Sequence, residues 1–228
     1  MNTLPIRPFA ALKLTLLAAL ALLLPFLNAC HWVGVNGNGH ITTENRPIGN
    51  FTKLEADGAF EVTWTSAPTP ALTVTTDENL LEYIRTHLSG DTLRIEWIKP
   101  LRGTHGIKIN IATATLTNAQ LNGAVRLVAS NLSGPEFYLE SNGATRVALN
   151  GNVNAVSAEL NGASRLDAGS LVARAMELSI SGAGRADVNV SEVLKVDISG
   201  AGKVRYTGEP KTVQKDITGA GSIRRRDG

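Results

Sequence analysis

The chain has 228 residues, 43% of them apolar and 5% aromatic, with 22 basic and 20 acidic side chains and one cysteine. That length allows one sizeable core or two small ones. The lone cysteine excludes an internal disulfide scaffold, and a net charge of +2 gives no support to a nucleic-acid partner, which needs a clustered basic face.

Arg7 and Lys13 precede the apolar run Leu14–Leu24, which Pro25 breaks before Ala29 and Cys30. The run is shorter than the ~20 residues of a membrane-spanning helix, so residues 1–29 read as a signal peptide. Leu27-Asn28-Ala29-Cys30 resembles the lipobox of bacterial lipoproteins. The resemblance implies acylation of Cys30 as the first mature residue and, with His31 rather than Asp following it, sorting to the outer membrane. Removal of residues 1–29 leaves 20 basic and 20 acidic groups, so the basic balance belongs to the signal. Residues 30–46, rich in Gly and Asn, read as a flexible linker and residues 47–228 as one domain.

Period-two alternation marks strands in "FEVTWT" from Phe60, "ALTVTT" from Ala71, "TLRIEWI" from Thr92 and "IKINIATATL" from Ile107. Between them, "DENLLEYIRTHLSG" predicts one short helix, with Asp77 as N-cap, Leu80, Leu81 and Ile84 on its apolar face and Gly90 as the stop. "DGAF" at Asp57 reads as a degenerate copy of a corner that recurs later.

That corner appears six times: "LNGAVRL" from Leu121, "SNGATRV" from Ser141, "LNGASRL" from Leu160, "ISGAGRA" from Ile180, "ISGAGKV" from Ile198 and "ITGAGSI" from Ile217. Its glycines are Gly123, Gly143, Gly162, Gly182, Gly200 and Gly219, at intervals of 20, 19, 20, 18 and 19 residues. A propeller blade needs about 40 residues, and no leucine-rich frame is present. The drifting interval argues against a hexapeptide helix. The pattern predicts an all-β fold, a single-stranded right-handed parallel β-helix of about 19 residues per turn, its five glycine intervals spanning about 24 Å. The irregular N-terminal half and its helix would close one end.

Stacking turns the repeats into columns. Asn122, Asn142, Asn161, Ser181, Ser199 and Thr218 precede the glycines and predict a hydrogen-bonded polar ladder. An alanine follows each glycine, and the next position narrows to Gly184, Gly202 and Gly221, which reads as a tight corner. Three residues before the glycines stand Gln120, Glu140, Glu159, Ser179, Asp197 and Asp216; three after stand Arg126, Arg146, Arg165, Arg185, Lys203 and Ser222. Stacked like charges repel, so the basic column is expected to draw compensation from the acidic one across the corner. The alternative is that Arg126, Arg146, Arg165, Arg185 and Lys203 form a docking rail for an acidic glycan or anionic surface.

No zinc-type His or Cys spacing, nucleophile elbow or phosphate loop is present, so no catalytic residue, metal or cofactor is expected. A glycan-cleaving face built from Glu140, Glu159, Arg146 and Arg165 is the enzymatic alternative. Recurrence of the same residues in nearly every turn argues instead for structure or multivalent contact, because a catalytic site needs a local, non-repeating set.

The "SGAG" copies, "NFTKLEADGAFEVTWT", "DENLLEYIRTHLSGDTLRIEW" and "GAGKVRYTGEP" together resemble the autotransporter adhesin head GIN domain, a bacterial family of unknown function, over about residues 47–226. The resemblance implies a β-helical fold and export, and it carries no binding or catalytic residue. The expected protein is a lipid-anchored envelope component acting as an adhesin-like module toward a glycan or an envelope protein. A polysaccharide lyase or hydrolase and an envelope scaffold are the alternatives.

Overall fold

Alternation of apolar and polar residues is what lets the chain coil and stack. In β3 (Lys53–Gly58), up to Trp64 in β4 (Glu61–Ser66) and up to Leu121 in β10 (Asn118–Gly123), buried residues alternate with more exposed ones. The next strands are long: β11 (Arg126–Gly143), β12 (Arg146–Gly162), β13 (Arg165–Gly182) and β14 (Arg185–Gly200) each run from one glycine corner to the next. The last full turn comprises β15 (Lys203–Thr207) and β16 (Thr212–Gly219), and β17 (Ser222–Arg225) opens the next by stacking on β15. Successive turns pair parallel and in register, so that Gly58, Gly123, Gly143, Gly162, Gly182, Gly200 and Gly219 form one column. The result, a computed structural model that describes residues 34–226, is a parallel β-solenoid of about five turns. The expected signal peptide, Cys30 and His31 lie outside the described residues.

The long strands bend midway. Register shifts between Ala129 and Leu132, where Asn131 adopts a left-handed φ of 61° and its N–H donates to Asn150 Oδ1 at 2.8 Å. Asparagine tolerates that conformation better than other side-chain-bearing residues.

Inside the coil, side chains stack as columns that alternate in size. One runs Leu54, Ala119, Leu139, Ala158, Leu178 and Val196, all buried, so a small residue receives its larger neighbours above and below. On the last rung the same column ends in Lys215, which is exposed. A charge at an inward position of a terminal strand makes further strand addition unfavourable, and so protects this open end of the stack.

At the other end, stack order departs from chain order. β7 (Thr92–Trp97) lies parallel to β3, and β9 (Lys108–Thr113) lies parallel to β4. The segment between β4 and β10 thus folds back over the first turn. β5 (Ala71–Asp77) and β6 (Ile84–Ser89) extend this layer by antiparallel pairing with β9 and β7. Trp64, Phe51 and Phe60, among the largest fully buried side chains, fill this end of the core.

Two expectations are corrected here. Residues assigned to a linker include strands: β1 (Val35–Asn36) pairs with β8 (Leu101–Arg102), and β2 (Ile41–Asn45) pairs antiparallel with β5. The anticipated helix from Asp77 to Gly90 is only a 3-10 turn, Glu78–Tyr83, followed by β6. The chain leaves this turn at Ile84 to pair with β7, and the Arg46 guanidinium secures that exit by donating to the carbonyls of Leu81 at 2.9 Å and Ile84 at 2.6 Å. Asp77 makes no capping bond to that turn. Its buried carboxylate instead accepts from Gly39 N at 2.7 Å, Thr104 N at 2.8 Å and Thr104 Oγ1 at 2.8 Å, tying the segment after β1 to the loop after β8.

The second glycine of "SGAG" also has a cause that differs from the expected tight bend. An ideal Cβ on Gly184 would lie 2.7 Å from Cγ2 of Ile180, and on Gly202 it would lie 2.8 Å from Cγ2 of Ile198. Neither glycine has a positive φ. The β-branch of the isoleucine occupies the space that Val125, Thr145 and Ser164 use in turns whose partner is Leu121, Ser141 or Leu160. In one of these turns Ser141 Oγ and Thr145 Oγ1 share a hydrogen bond of 2.6 Å. Gly184→Ala is therefore expected to cost about 2 kcal/mol through overpacking against a stiff side chain. Combining it with Ile180→Leu should recover most of that loss. A double-mutant cycle by urea unfolding checks this, and strict additivity would reject the steric account.

Candidate binding face

The Gly–Ala corner separates two exposed sheet faces of opposite charge. On one side, register places Arg126, Arg146, Arg165, Arg185 and Lys203 on consecutive rungs, all exposed. At strand spacing, neighbouring cations in water repel by about 1 kcal/mol per pair. The expected compensation from across the corner is absent: among the described residues, no ion pair joins any of these five to an acid. The rung beyond Arg126 carries Glu61, and it too forms no ion pair with the ladder.

The cations border a groove of about 460 Å³ running along the stack. Arg146, Arg165, Arg185 and Lys203 lie along it, together with the corner alanines Ala144, Ala163, Ala183 and Ala201. The groove is open because those corner positions carry only a methyl group beyond Cβ-less glycines. Each corner glycine's carbonyl is held by the alanine of the next turn: the N–H of Ala144 donates to Gly123 O at 2.9 Å, and that of Ala163 to Gly143 O at 2.9 Å.

On the other face, Glu140, Glu159, Asp197 and Asp216 follow the expected column, interrupted by Ser179. Two of these acids, Glu140 and Glu159, have local partners. Asn142 Nδ2 donates to Glu140 Oε1 at 2.9 Å, and the Tyr138 hydroxyl is hydrogen-bonded to Glu159. Burial, with the adjacent Glu159 carboxylate, pushes the Tyr138 hydroxyl above its ordinary pKa of 10.0. The polar ladder forms in its asparagine part, Asn161 donating to Asn142 at 2.9 Å and Asn142 to Asn122 at 3.0 Å. The enzymatic alternative needed Glu140 and Glu159 to act with Arg146 and Arg165, and the fold puts the two pairs in separate columns on either side of the corner.

Two features of this surface were missed from the sequence. Arg205 makes a bidentate pair with Asp187, at 2.6 and 2.9 Å, on the column next to the ladder. The two residues stand one turn apart at the same distance from their glycines, so the repeat alignment held the signal. This pair shows what compensation looks like in the fold, and the ladder lacks it. The second feature is a groove of about 520 Å³ on the acidic side, lined by Phe137, Tyr138, Val156 and Met176 among others. Its residues come from several turns and follow no motif.

An exposed, regular, one-dimensional array along stacked turns is the kind of extended surface that repeat architectures present. The chain belongs to the family described as putative auto-transporter adhesin, head GIN domain, whose model matches residues 50–210. No match is found among curated proteins. Among solved structures, a putative adhesin from Bacteroides fragilis is similar at 22% identity and a TM-score of 0.72, covering 85% of this chain and 100% of its own. A putative lipid binding protein from Parabacteroides distasonis (22%, TM-score 0.56) covers 85% of this chain and 99% of its own. A putative adhesin from Parabacteroides merdae (21%, TM-score 0.54) has the same coverage. At these identities the likeness establishes the fold.

Proposed function

We propose that this protein is exported, anchored in the cell envelope through a lipid on Cys30, and acts there as a non-enzymatic, adhesin-like binding module whose contact surface is the basic ladder. The observation that carries the reading is the row from Arg126 to Lys203, exposed and without ion pairs, on a family scaffold described as an adhesin. Folded chains ordinarily place acids near stacked cations, as Asp187 does for Arg205. A row that, among the described residues, forms no ion pair is suited to a partner that supplies the negative charge.

Anchoring rests on Leu27-Asn28-Ala29-Cys30 after the apolar run, and on His31, which favours the outer membrane. Cells expressing the full chain should show it in the outer-membrane fraction, as a processed form that incorporates labelled fatty acid. Cys30→Ser should abolish the label and leave unprocessed precursor. Normal processing and membrane fractionation of that variant would remove the lipid anchor. For binding, cells displaying the full chain should adhere to surfaces coated with envelope polysaccharide or whole cells more than cells lacking it, and equal adhesion would reject the adhesin reading.

A further inference from the structure

Resting on the reading of the ladder as the contact surface, we infer that its ligand is a linear acidic polysaccharide, with a carboxylate on each sugar, lying along the solenoid axis. Spacing is the first argument. From Arg146 to Lys203 the cations stand on consecutive rungs about 4.8 Å apart, a straight row that Arg126 extends to about 19 Å. An extended polysaccharide advances by close to one strand spacing per sugar ring. Repeating carboxylates therefore meet the rungs one by one, and guanidinium groups suit carboxylates because their paired donors match the two oxygens.

Groove shape is the second argument. The alanine side leaves room for a ring beside each cation, and nothing lining the groove is aromatic. Single-stranded nucleic acid draws much of its affinity from stacking on aromatic side chains, and this groove offers none. Duplex DNA presents charge over a wide cylinder, whereas the ladder is one cation wide: the column beside it runs Val128, Ala148, Asp167 and Asp187, and its Arg205 is committed to Asp187. A second copy of the chain, docking its acidic face on the ladder, is disfavoured because Glu140 and Glu159 are already hydrogen-bonded and Ser179 breaks their column.

The test uses the full chain in detergent, sodium polygalacturonate as probe, neutral dextran and a single-stranded DNA of equal charge as comparators, and calorimetry across a salt series. Two variants remove the same charge: Arg146→Gln with Arg165→Gln on the ladder, and Lys195→Gln with Lys211→Gln away from it. Polygalacturonate is expected to bind and dextran not to. The ladder variant should lose about tenfold or more in affinity and up to about one unit of salt slope per charge removed, while the control stays within about twofold. Because the ladder repels itself, the ladder variant should melt at the same or a higher temperature than wild type at low salt, which separates lost binding from lost folding.

Equal loss in both variants, or DNA binding as tightly as polygalacturonate, overturns the inference. So does self-association that the ladder variant abolishes without any polygalacturonate binding. If cells displaying the chain still adhere while polygalacturonate fails to bind, this inference falls and the adhesin reading stands. If neither occurs, both fall.

Discussion

Gly143→Ala is expected to destabilise the protein by about 3 kcal/mol or more, and to split its unfolding into two steps. The residue has a φ of +117°, and an ideal Cβ would lie 2.5 Å from the carbonyl oxygen of Gly123 on the turn before. That oxygen cannot move aside, because it accepts the hydrogen bond from Ala144 N that joins the two turns. Two other glycines separate the contributions. Gly134 has a φ of +144° but open space around it, so Gly134→Ala should cost only the conformational part, about 1–2 kcal/mol. Gly169 has neither a positive φ nor a close neighbour, its nearest contact being Asp167 Oδ1 at 3.8 Å, and Gly169→Ala should fall within about 0.5 kcal/mol of wild type. Urea unfolding of the three variants measures the order, and equal effects would show that close approach between turns is not the cause.

Asp77→Ala is expected to cost about 3 kcal/mol, since it leaves three donors without their charged acceptor inside the fold. The same carboxylate gives a pH dependence. Burial works to raise its pKa, but the hydrogen bonds from Thr104 N, Gly39 N and the Thr104 hydroxyl outweigh it, and the net effect is below the ordinary 3.8. A lowered folded pKa means that this contribution is fully present above pH 3.8 and is lost as pH falls through the lower folded value. Wild type should therefore lose stability more steeply below about pH 4 than Asp77→Asn, whose amide does not titrate there. Denaturant midpoints between pH 2 and pH 6 report the difference. Parallel profiles would assign the acid sensitivity to other carboxylates.

The repeats made the stack legible because their constraints are local and recur. Each corner needs a glycine, each approach strand alternates, and each column inherits the chemistry of its residue type. The asparagine ladder and the glycine column followed from that alone. The N-terminal layer was less legible, because a strand and a helix turn compete over the same few apolar residues after Asp77. Pairing of Ile84–Ser89 with β7 settles the contest, and Arg46, more than 30 residues before the exit, secures it through the carbonyls of Leu81 and Ile84. The Gly-Asn-rich segment likewise read as a linker until its strands found β5 and β8 as partners.

Charge was the least legible layer. The acidic and basic columns were both visible, and their spacing in sequence suggested that one would neutralise the other. Their separation by the corner, and the local bonding of Glu140 and Glu159, leave the basic row without ion pairs. The sequence by itself determined the repeat, its corner and the composition of every column, because these depend on neighbours within about 19 residues. The tertiary structure alone decided where 67–117 stacks, why a side chain on Gly184 or Gly202 would meet an isoleucine branch, and that, among the described residues, the outward-facing cations form no ion pair. Those outcomes depend on which atoms meet across turns, and distance along the chain does not encode that.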